Sequence, residues 1–195
     1  MVQLRQRFHS FEEYLAYDDG SDNLYELFNG ELIEVPPESG VNVELANFLF
    51  ALLLPLVGYQ RIRGHGLELE VRGEPRNRYP DLTVIREEHI TLLKRRNTIR
   101  LTMPPPLLVV EVVSPGELQR DRDYIAKRIQ YEDIGIPEYW IVDPQEHTVT
   151  VFTGQDGRYG DAHVMTDRDR LTSAQISSLD LAIADFFTAN QAEST

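Results

Sequence analysis

The sequence predicts an α/β (α+β) domain in which helices flank a mixed central β-sheet. Two observations carry this prediction. Apolar segments of strand length alternate with segments of helical periodicity along the chain. In addition, two acidic residues, Asp81 and Glu111, stand at or within runs that otherwise have the composition of buried strands. A chain of 195 residues without repeats suits one domain, which we place at residues 1–187, followed by a flexible tail at 188–195.

The first elements predicted are a short helix and a β-hairpin. Ser10 is suited to cap the helix of the segment SFEEYLAY. The Asn29-Gly30 pair in YELFNGELIEV separates two runs with alternating apolar residues, which favours a two-residue hairpin turn. The next segment, VNVELANFLFALLLPLV, has the length and composition of a helix that is buried on most of its surface.

This long apolar segment does not predict a membrane span. Its longest apolar run, residues 48–57, is about half of what a bilayer needs, and Pro55 interrupts it. The N-terminal basic residues are not followed by an uninterrupted apolar stretch, so no secretory signal is predicted. The chain has no cysteine, which excludes disulfides and thiolate chemistry, and we expect a cytoplasmic protein without membrane contact.

Several strands follow the long helix. Alternating apolar and polar residues in YQRIRGHGLELEV predict a half-exposed strand. Two further strands carry Asp81 and Glu111, and a strand, a turn and a last strand close the fold in EYWIVDPQEHTVTVFTG. We expect the single tryptophan, Trp140, to lie in the core.

A helix is predicted between the strand of Glu111 and the closing strands. The segment ELQRDRDYIAKRIQYEDIG places Ile125, Ile129 and Ile134 on its apolar face, which we expect to be its buried face. Gly135 and Pro137 end the helix.

The two acidic residues raise one question. Glu111 stands inside PPLLVVEVVSP, and burial of an unpaired carboxylate costs several kcal/mol or forces it to take a proton. Asp81 precedes an apolar strand in RYPDLTV. If the two strands are neighbours, the carboxylates, backbone carbonyls and water would form the hard-oxygen environment that Mg²⁺ or Mn²⁺ prefers. Alternatively, Asp81 caps a turn and Glu111 pairs with an arginine.

Lys127 is a candidate partner for this acidic pair. Lys127 and Tyr131 are one helical turn apart and share a face. The chain has one other lysine, Lys94. A metal ion beside an ammonium suits the hydrolysis of phosphodiesters. We expect Lys127 to be exposed, so that its removal would barely alter stability.

The charge of the chain is unevenly distributed. The formal net charge of −13 argues against non-specific adhesion to nucleic acid. However, residues 86–128 carry nine basic side chains against six acidic ones. This segment is suited either to a solvated surface or to contact with a polyanion.

The order of these motifs resembles the Uma-two family, a restriction-endonuclease-like branch of the PD-(D/E)XK nuclease superfamily. The resemblance rests on YELFNGELIEVPPES, YPDLTVI, LLVVEVVSP and DRDYIAKRIQYEDIGIPEYWIVDP, and it covers roughly residues 10–187. It implies a restriction-endonuclease-like core, a metal-dependent site that hydrolyses nucleic acid, DNA in the first instance, and often a homodimer. In such a dimer, residues 86–128 of two subunits would line one groove.

The resemblance also assigns residues to the site. Asp81 matches the aspartate of the PD motif and Glu111 matches the acid of the (D/E)XK motif, and the carbonyl of Val112 would be a third metal ligand. Val113 stands where the superfamily has its lysine, and Lys127 matches the lysine that replaces it from the next helix.

Three further positions enter through the resemblance. Glu26 matches an N-terminal acid that could complete the site, or it is an exposed hairpin residue. Tyr131 matches a recurrent tyrosine. Asn42 stands where many relatives have a histidine. This departure, Val113 and the negative net charge support an alternative, in which the chain is a catalytically inactive nuclease-fold module for binding or assembly.

Overall fold

The computed structural model describes residues 6–18, 20–116 and 121–188. The tail predicted from residue 188 lies outside these residues except for Thr188. The helices are α1 (Phe11–Ala16), α2 (Gly40–Val57), α3 (Glu87–Leu92), α4, which joins a π-helical stretch (Arg122–Lys127) to an α-helical one (Arg128–Asp133), and α5 (Ile183–Thr188). The strands are β1 (Tyr25–Phe28), β2 (Glu31–Glu34), β3 (Ile62–Gly64), β4 (Glu68–Glu70), β5 (Asn77–Arg78), β6 (Leu82–Val84), β7 (Thr98–Ile99), β8 (Leu108–Val112), β9 (Glu138–Asp143), β10 (Thr148–Gln155), β11 (Arg158–Tyr159), β12 (His163–Met165), β13 (Arg170–Leu171) and β14 (Leu181–Ala182).

A mixed sheet forms the centre of the molecule and confirms the predicted fold class. Its strand order is β11-β10-β9-β8-β6-β3, with β12 paired to β10. Strands β8 and β9 are parallel, whereas β6 is antiparallel to both β3 and β8. The strands that carry the two acids are neighbours, because β6 begins directly after Asp81 and β8 contains Glu111.

Two hydrophobic cores lie on opposite faces of this sheet. Val110 of β8 belongs to the core under α2, which presents Leu45 and Leu49 to it. Val109 and Val113 belong to the other core, which includes residues of α4 and β4. Because side chains alternate along a strand, Glu111 lies on the α4 face of the sheet.

The predicted core position of Trp140 is confirmed. Trp140 is fully buried in β9, and Val110 is its partner on β8. Its indole N–H donates to Glu138 Oε1 over 2.6 Å. Because its N–H has a hydrogen-bond acceptor, this large aromatic side chain can be buried on the sheet.

The prediction that α2 is buried on most of its surface is wrong. A stripe of leucines packs on the sheet, but Val41 and Val43 are 50% and 44% exposed. The helix covers only one face of the sheet, so its outer side remains in contact with solvent. Among the described residues, α2 is also the one helix that is long and apolar enough to cross a bilayer, a test that core helices of soluble proteins pass as well.

The predicted apolar face of α4 is also wrong. Ile125 and Ile129 are both 52% exposed, whereas Asp123, Lys127 and Tyr131 are buried. The polar side faces the sheet because it lies over Glu111, and a charged partner there is worth more than burial of two isoleucines.

The predicted half-exposed strand after α2 is two strands, and the second is fully buried. In β4, Glu68 is 3% exposed. Its carboxylate accepts hydrogen bonds from Tyr14, Asn77 and Thr98. These donors satisfy the carboxylate, so an acidic residue can occupy a buried strand position.

The predicted helix cap and hairpin turn are present. Ser10 Oγ accepts from the Glu13 N–H over 3.0 Å at the start of α1. Asn29 and Gly30 join β1 to β2 with φ angles of 48° and 77°, the left-handed values that a type I′ turn requires.

Two two-residue hairpin turns, Asn29-Gly30 between β1 and β2 and Asp156-Gly157 between β10 and β11, offer a matched test of packing at Gly30. Gly157 has a φ of 80° and open space around it, whereas a Cβ on Gly30 would lie 2.8 Å from the Phe8 carbonyl oxygen. We expect both alanine variants to lose about 1–2 kcal/mol through the positive φ. Gly30→Ala should lose about 1–3 kcal/mol more, because backbone must move. Urea denaturation measures both, and equal losses would contradict the close approach of Phe8.

Candidate active site

Asp81 and Glu111 lie side by side. The antiparallel register pairs Leu82 with Val110, and its continuation by one residue sets Asp81 opposite Glu111. Opposite residues of antiparallel strands point to one face, with Cβ atoms about 4.5–5.5 Å apart. Asp81 Oδ2 also accepts a hydrogen bond from the Val112 backbone N–H over 2.7 Å. The expected convergence of the two acids is thus present in the fold.

Glu111 is buried, and its partners come from α4. Lys127 Nζ donates to Oε2 over 2.7 Å, and the Tyr131 hydroxyl donates to Oε1 over 2.5 Å. The alternative that Glu111 pairs with an arginine is wrong, since an ammonium and a phenol hold its two oxygens. Burial raises the pKa of Glu111, and the ammonium of Lys127 opposes that rise.

Lys127 is buried, so the expectation of an exposed lysine is wrong. Its side chain is 8% exposed, and Nζ lies 2.7 Å from Glu111 and 2.8 Å from Asp123 Oδ1. Burial lowers the pKa of Lys127, but the two carboxylates outweigh it, so the net pKa lies above the ordinary value. The two carboxylates thus favour the charged ammonium form of Lys127.

Asp123 belongs to the same cluster, and sequence reasoning missed it. Asp123 is fully buried, and among the described residues Arg122 Nε is its other charged partner, 3.5 Å from Oδ1. Its Oδ2 is buried without a hydrogen-bond partner among the described residues. The available signal was its position four residues before Lys127, the same spacing that joins Lys127 to Tyr131.

Asp81 holds its proton unusually tightly. Burial is the main cause, and the negative charge of Glu111 adds to it, so the pKa of Asp81 rises from 3.8 to about 8. The ammonium of Lys127 and the Val112 N–H lower this pKa but do not offset the burial. A cation beside Asp81 would relieve both the desolvation and the repulsion between carboxylates.

A cavity of about 530 Å³ opens beside Asp81. This volume is within the range of small-molecule sites and is large enough for a nucleotide. His65 also lines the cavity, and the β3–β6 register, continued by one residue, sets it opposite Asp81. The other lining residues include apolar and acidic side chains, among them Glu34, Pro36, Pro37, Glu38, Val43 and Phe50.

Asn42 holds the backbone around Val112. Its side-chain amide lies within hydrogen-bonding distance of the Val112 carbonyl (3.2 Å), Ser114 Oγ (2.9 Å) and Glu38 Oε2 (3.1 Å). The carbonyl proposed as a metal ligand therefore already has one donor, and its second lone pair is available. Asn42 thus contacts the site through its hydrogen bond to the backbone carbonyl of Val112.

Glu26 is paired with Arg78 and not with Lys127. The Arg78 guanidinium donates to Glu26 Oε1 over 3.1 Å and to Gln130 Oε1 over 2.8 Å. Because Gln130 precedes Tyr131 on α4, Glu26 is connected to the site by a chain of two hydrogen bonds. The exposed-hairpin alternative is wrong, since the Glu26 side chain is 25% exposed and ion-paired.

The oxygen donors of this site suit a hard divalent cation. Within the described residues, no group of three or more acidic, histidine or cysteine side chains is arranged around one point. Asp81, Glu111 and the Val112 carbonyl nevertheless supply hard oxygens, and Mg²⁺ commonly keeps several waters beside one or two carboxylates. Asp123 Oδ2 has no hydrogen-bond partner among the described residues, and the pKa of Asp81 is raised. Both observations indicate an excess of negative charge at the site. These residues fit a metal ion such as Mg²⁺ or Mn²⁺.

Comparisons with known proteins identify the family and the fold. A family model, Uma2, described as "putative restriction endonuclease", matches residues 11–184. The fold is similar to a crystal structure of a "putative nuclease belonging to DUF820" from Anabaena variabilis ATCC 29413, with a TM-score of 0.68 and 19% identity over 93% of this chain and 98% of that one. No curated protein matches the chain.

The raised pKa of Asp81 predicts how stability depends on pH without metal. The folded protein binds this proton more tightly than the unfolded chain does, so its stabilising effect is present below about pH 4 and is lost as pH rises towards about 8. We expect Asp81→Asn to remove a slope that approaches about 1.4 kcal/mol per pH unit. Thermal melts in EDTA between pH 5 and 8 measure it. The exposed control Asp161→Asn should keep the wild-type slope, and a wild-type slope in Asp81→Asn would contradict the assignment.

Removal of the buried ammonium should destabilise the protein. Lys127→Ala leaves Glu111 and Asp123 buried without their cation, which we expect to cost about 3–5 kcal/mol. Lys94→Ala, the only other change available at a lysine, lies at an exposed position and should stay within about 0.5 kcal/mol. Urea denaturation compares the two, and equal stabilities would show that the ion pairs contribute nothing.

Proposed function

Because the chain belongs to the Uma2 family of "putative restriction endonucleases", we propose that it is an endonuclease that uses Mg²⁺ or Mn²⁺ to hydrolyse phosphodiester bonds of nucleic acid, DNA in the first instance. One observation carries the proposal. The buried ammonium of Lys127 is hydrogen-bonded to Glu111, Glu111 lies opposite Asp81, and Asp81 lines a cavity large enough for a nucleotide.

Asp81, Glu111 and the Val112 carbonyl would hold the metal ion. A divalent cation, when bound, neutralises charge on the phosphate and lowers the pKa of a bound water. Asp81 would then lose its tightly held proton and serve as a carboxylate ligand, because a neighbouring cation favours the charged form of an acid. Tyr131 fixes Glu111 from one side, and Asn42 fixes the backbone of Val112 from the other.

Lys127 supplies positive charge and a hydrogen bond. An ammonium has three N–H donors, and Glu111 and Asp123 accept two of them. The third can donate to the phosphate or to the attacking water. Because Lys127 stays protonated, it stabilises the transition state electrostatically. Val113, which stands where the superfamily has its lysine, carries no amine and is buried in the same core cluster as Tyr131.

A catalytically inactive binding or assembly module is the second candidate. The observation that favours it is the acidic lining of the cavity, where Asp22, Glu34 and Glu38 would repel a phosphate backbone. The buried cluster of Glu111, Lys127 and Asp123 favours the enzyme instead. An inactive module would have no need to keep this charged cluster buried.

The basic segment 86–128 offers limited support for a nucleic-acid groove. Most of its cations are engaged within the protein: Arg96 and Arg100 with Glu68 and Glu70, Arg86 with the Pro105 carbonyl, and Arg122 with Asp123.

We therefore propose the homodimer and the cytoplasmic location from the family resemblance and the sequence. Gel filtration with light scattering tests the dimer, and a mass near the 22.4 kDa of one chain would exclude it.

We expect cleavage of plasmid or single-stranded DNA, or of RNA, in the presence of Mn²⁺. Glu111→Gln, purified beside the wild type, keeps the size of the side chain and removes its charge, so it should lose at least about 10²-fold in rate. Mg²⁺ and Mn²⁺ should also raise the melting temperature of the wild type but not of Asp81→Ala. Equal cleavage by both preparations would indicate a contaminant, and equal metal responses would refute the ligand role of Asp81.

Lys127 separates the enzyme from the inactive module. Lys127→Ala should abolish single-turnover cleavage, and Lys127→Arg should also fail, because a planar guanidinium does not fit the position of a compact ammonium. Both rates are compared with Lys94→Ala in the same Mn²⁺ buffer, at a temperature where circular dichroism shows every variant folded. A wild-type rate in Lys127→Ala would sink the mechanism.

A further inference from the structure

Asp123 is more than a counter-ion for Lys127. Glu111 alone balances the charge of the ammonium, and Asp123 adds a second buried carboxylate that raises the pKa of Glu111. The other cation near Asp123, Arg122, lies 3.5 Å away on a side chain that is 40% exposed. Burial of an extra charge is costly unless it has full hydrogen bonding. Asp123 lacks that, since its Oδ2 has no partner among the residues that the structure describes. Stability alone therefore does not account for an aspartate here.

The geometry of Asp123 fixes the direction of the Lys127 ammonium. Glu111 holds Nζ from the sheet at 2.7 Å, and Asp123 holds it from its own helix at 2.8 Å. Two occupied donors of a tetrahedral group determine where the third one points. With Glu111 alone, the ammonium could rotate about the single remaining hydrogen bond.

The helix supports this arrangement. Asp123 and Lys127 both lie in the π-helical stretch of α4, and both point to the sheet while Ile125 between them points to solvent. Single π-helical turns are rare in proteins as a whole, but those that occur often lie at functional sites. The Tyr139 hydroxyl donates to the Asp123 backbone carbonyl over 3.0 Å, so the stretch is also tied to β9.

We propose that Asp123 is a positioning residue, which aims the third N–H of Lys127 at the reacting phosphate or water. This inference rests on the proposed function for the identity of the target. The orientation of Lys127 itself does not, and it can be measured without activity.

The two lysines of the chain make a direct measurement possible. In a ¹⁵N-labelled protein, the immobilised ammonium of Lys127 should give a resolved NMR signal, whereas exposed Lys94 exchanges its protons rapidly with water. Asp123→Asn keeps the shape of the side chain but removes its charge, and it should broaden or shift the Lys127 signal. Asp121→Asn, on the same helix at an exposed position, should leave the signal unchanged. Absence of a Lys127 signal in the wild type, or an unchanged signal in Asp123→Asn, overturns the proposal.

A double-mutant cycle tests the consequence for the reaction. Single-turnover cleavage should fall about 10-fold in Asp123→Asn, which keeps an acceptor, and about 10²-fold in Asp123→Leu, which does not. The affinity for Mn²⁺ and the KM should change less than about threefold. In a Lys127→Met background, where only a trace of cleavage is expected, Asp123→Leu should not lower that trace further when enzyme is in large excess and the reaction is followed over a long incubation. An independent effect there would assign Asp123 a purely structural role. If Glu111→Gln cleaved as fast as the wild type, that result would instead count against the proposed function, and the NMR result on Lys127 would stand.

Discussion

The site depends on one constraint, the burial of Glu111 in the middle of a sheet. A carboxylate at this depth requires donors, and among the described residues α4 supplies them from across the face on which Glu111 lies. The helix meets the requirement with Lys127 and Tyr131 and turns its polar side inwards to do so. The same contact brings Asp123 into the interior and leaves Ile125 and Ile129 in solvent.

The strands provide the complementary half of the site. Asp81 is set opposite Glu111 by register and is anchored to the Val112 N–H, so its position does not depend on the helix. The amide of Asn42 meets the same backbone segment from α2, on the other side of the sheet. The site is therefore held by three elements that pack on different surfaces of β8. Such independent support keeps a catalytic geometry within the narrow limits that function requires.

Sequence reasoning found what local pattern encodes and missed what tertiary partners decide. Asn29-Gly30 identified the hairpin because only left-handed backbone fits that turn. An acid within an apolar strand identified Glu111 because burial of a charge is costly wherever it occurs. The buried face of α4 was predicted wrongly because the rule that apolar residues face inwards assumes an apolar partner surface. Helix α4 lies over a carboxylate instead. Asp123 was missed for the same reason: as part of a charged run, it had the composition of a solvated surface.

Trp140 gives this protein a built-in optical reporter. It is the only tryptophan of the chain, it is fully buried, and it is paired with Val110 on the strand that carries Glu111. Its indole ring is surrounded by apolar side chains, and its N–H is bonded to a carboxylate, so its emission in the folded state arises from one uniform and shielded environment. A shift of that emission to longer wavelength reports solvent entry into the central sheet itself. Loss of order at the β1–β2 hairpin, which packs in a separate cluster with Phe11 and Tyr14, leaves it unchanged.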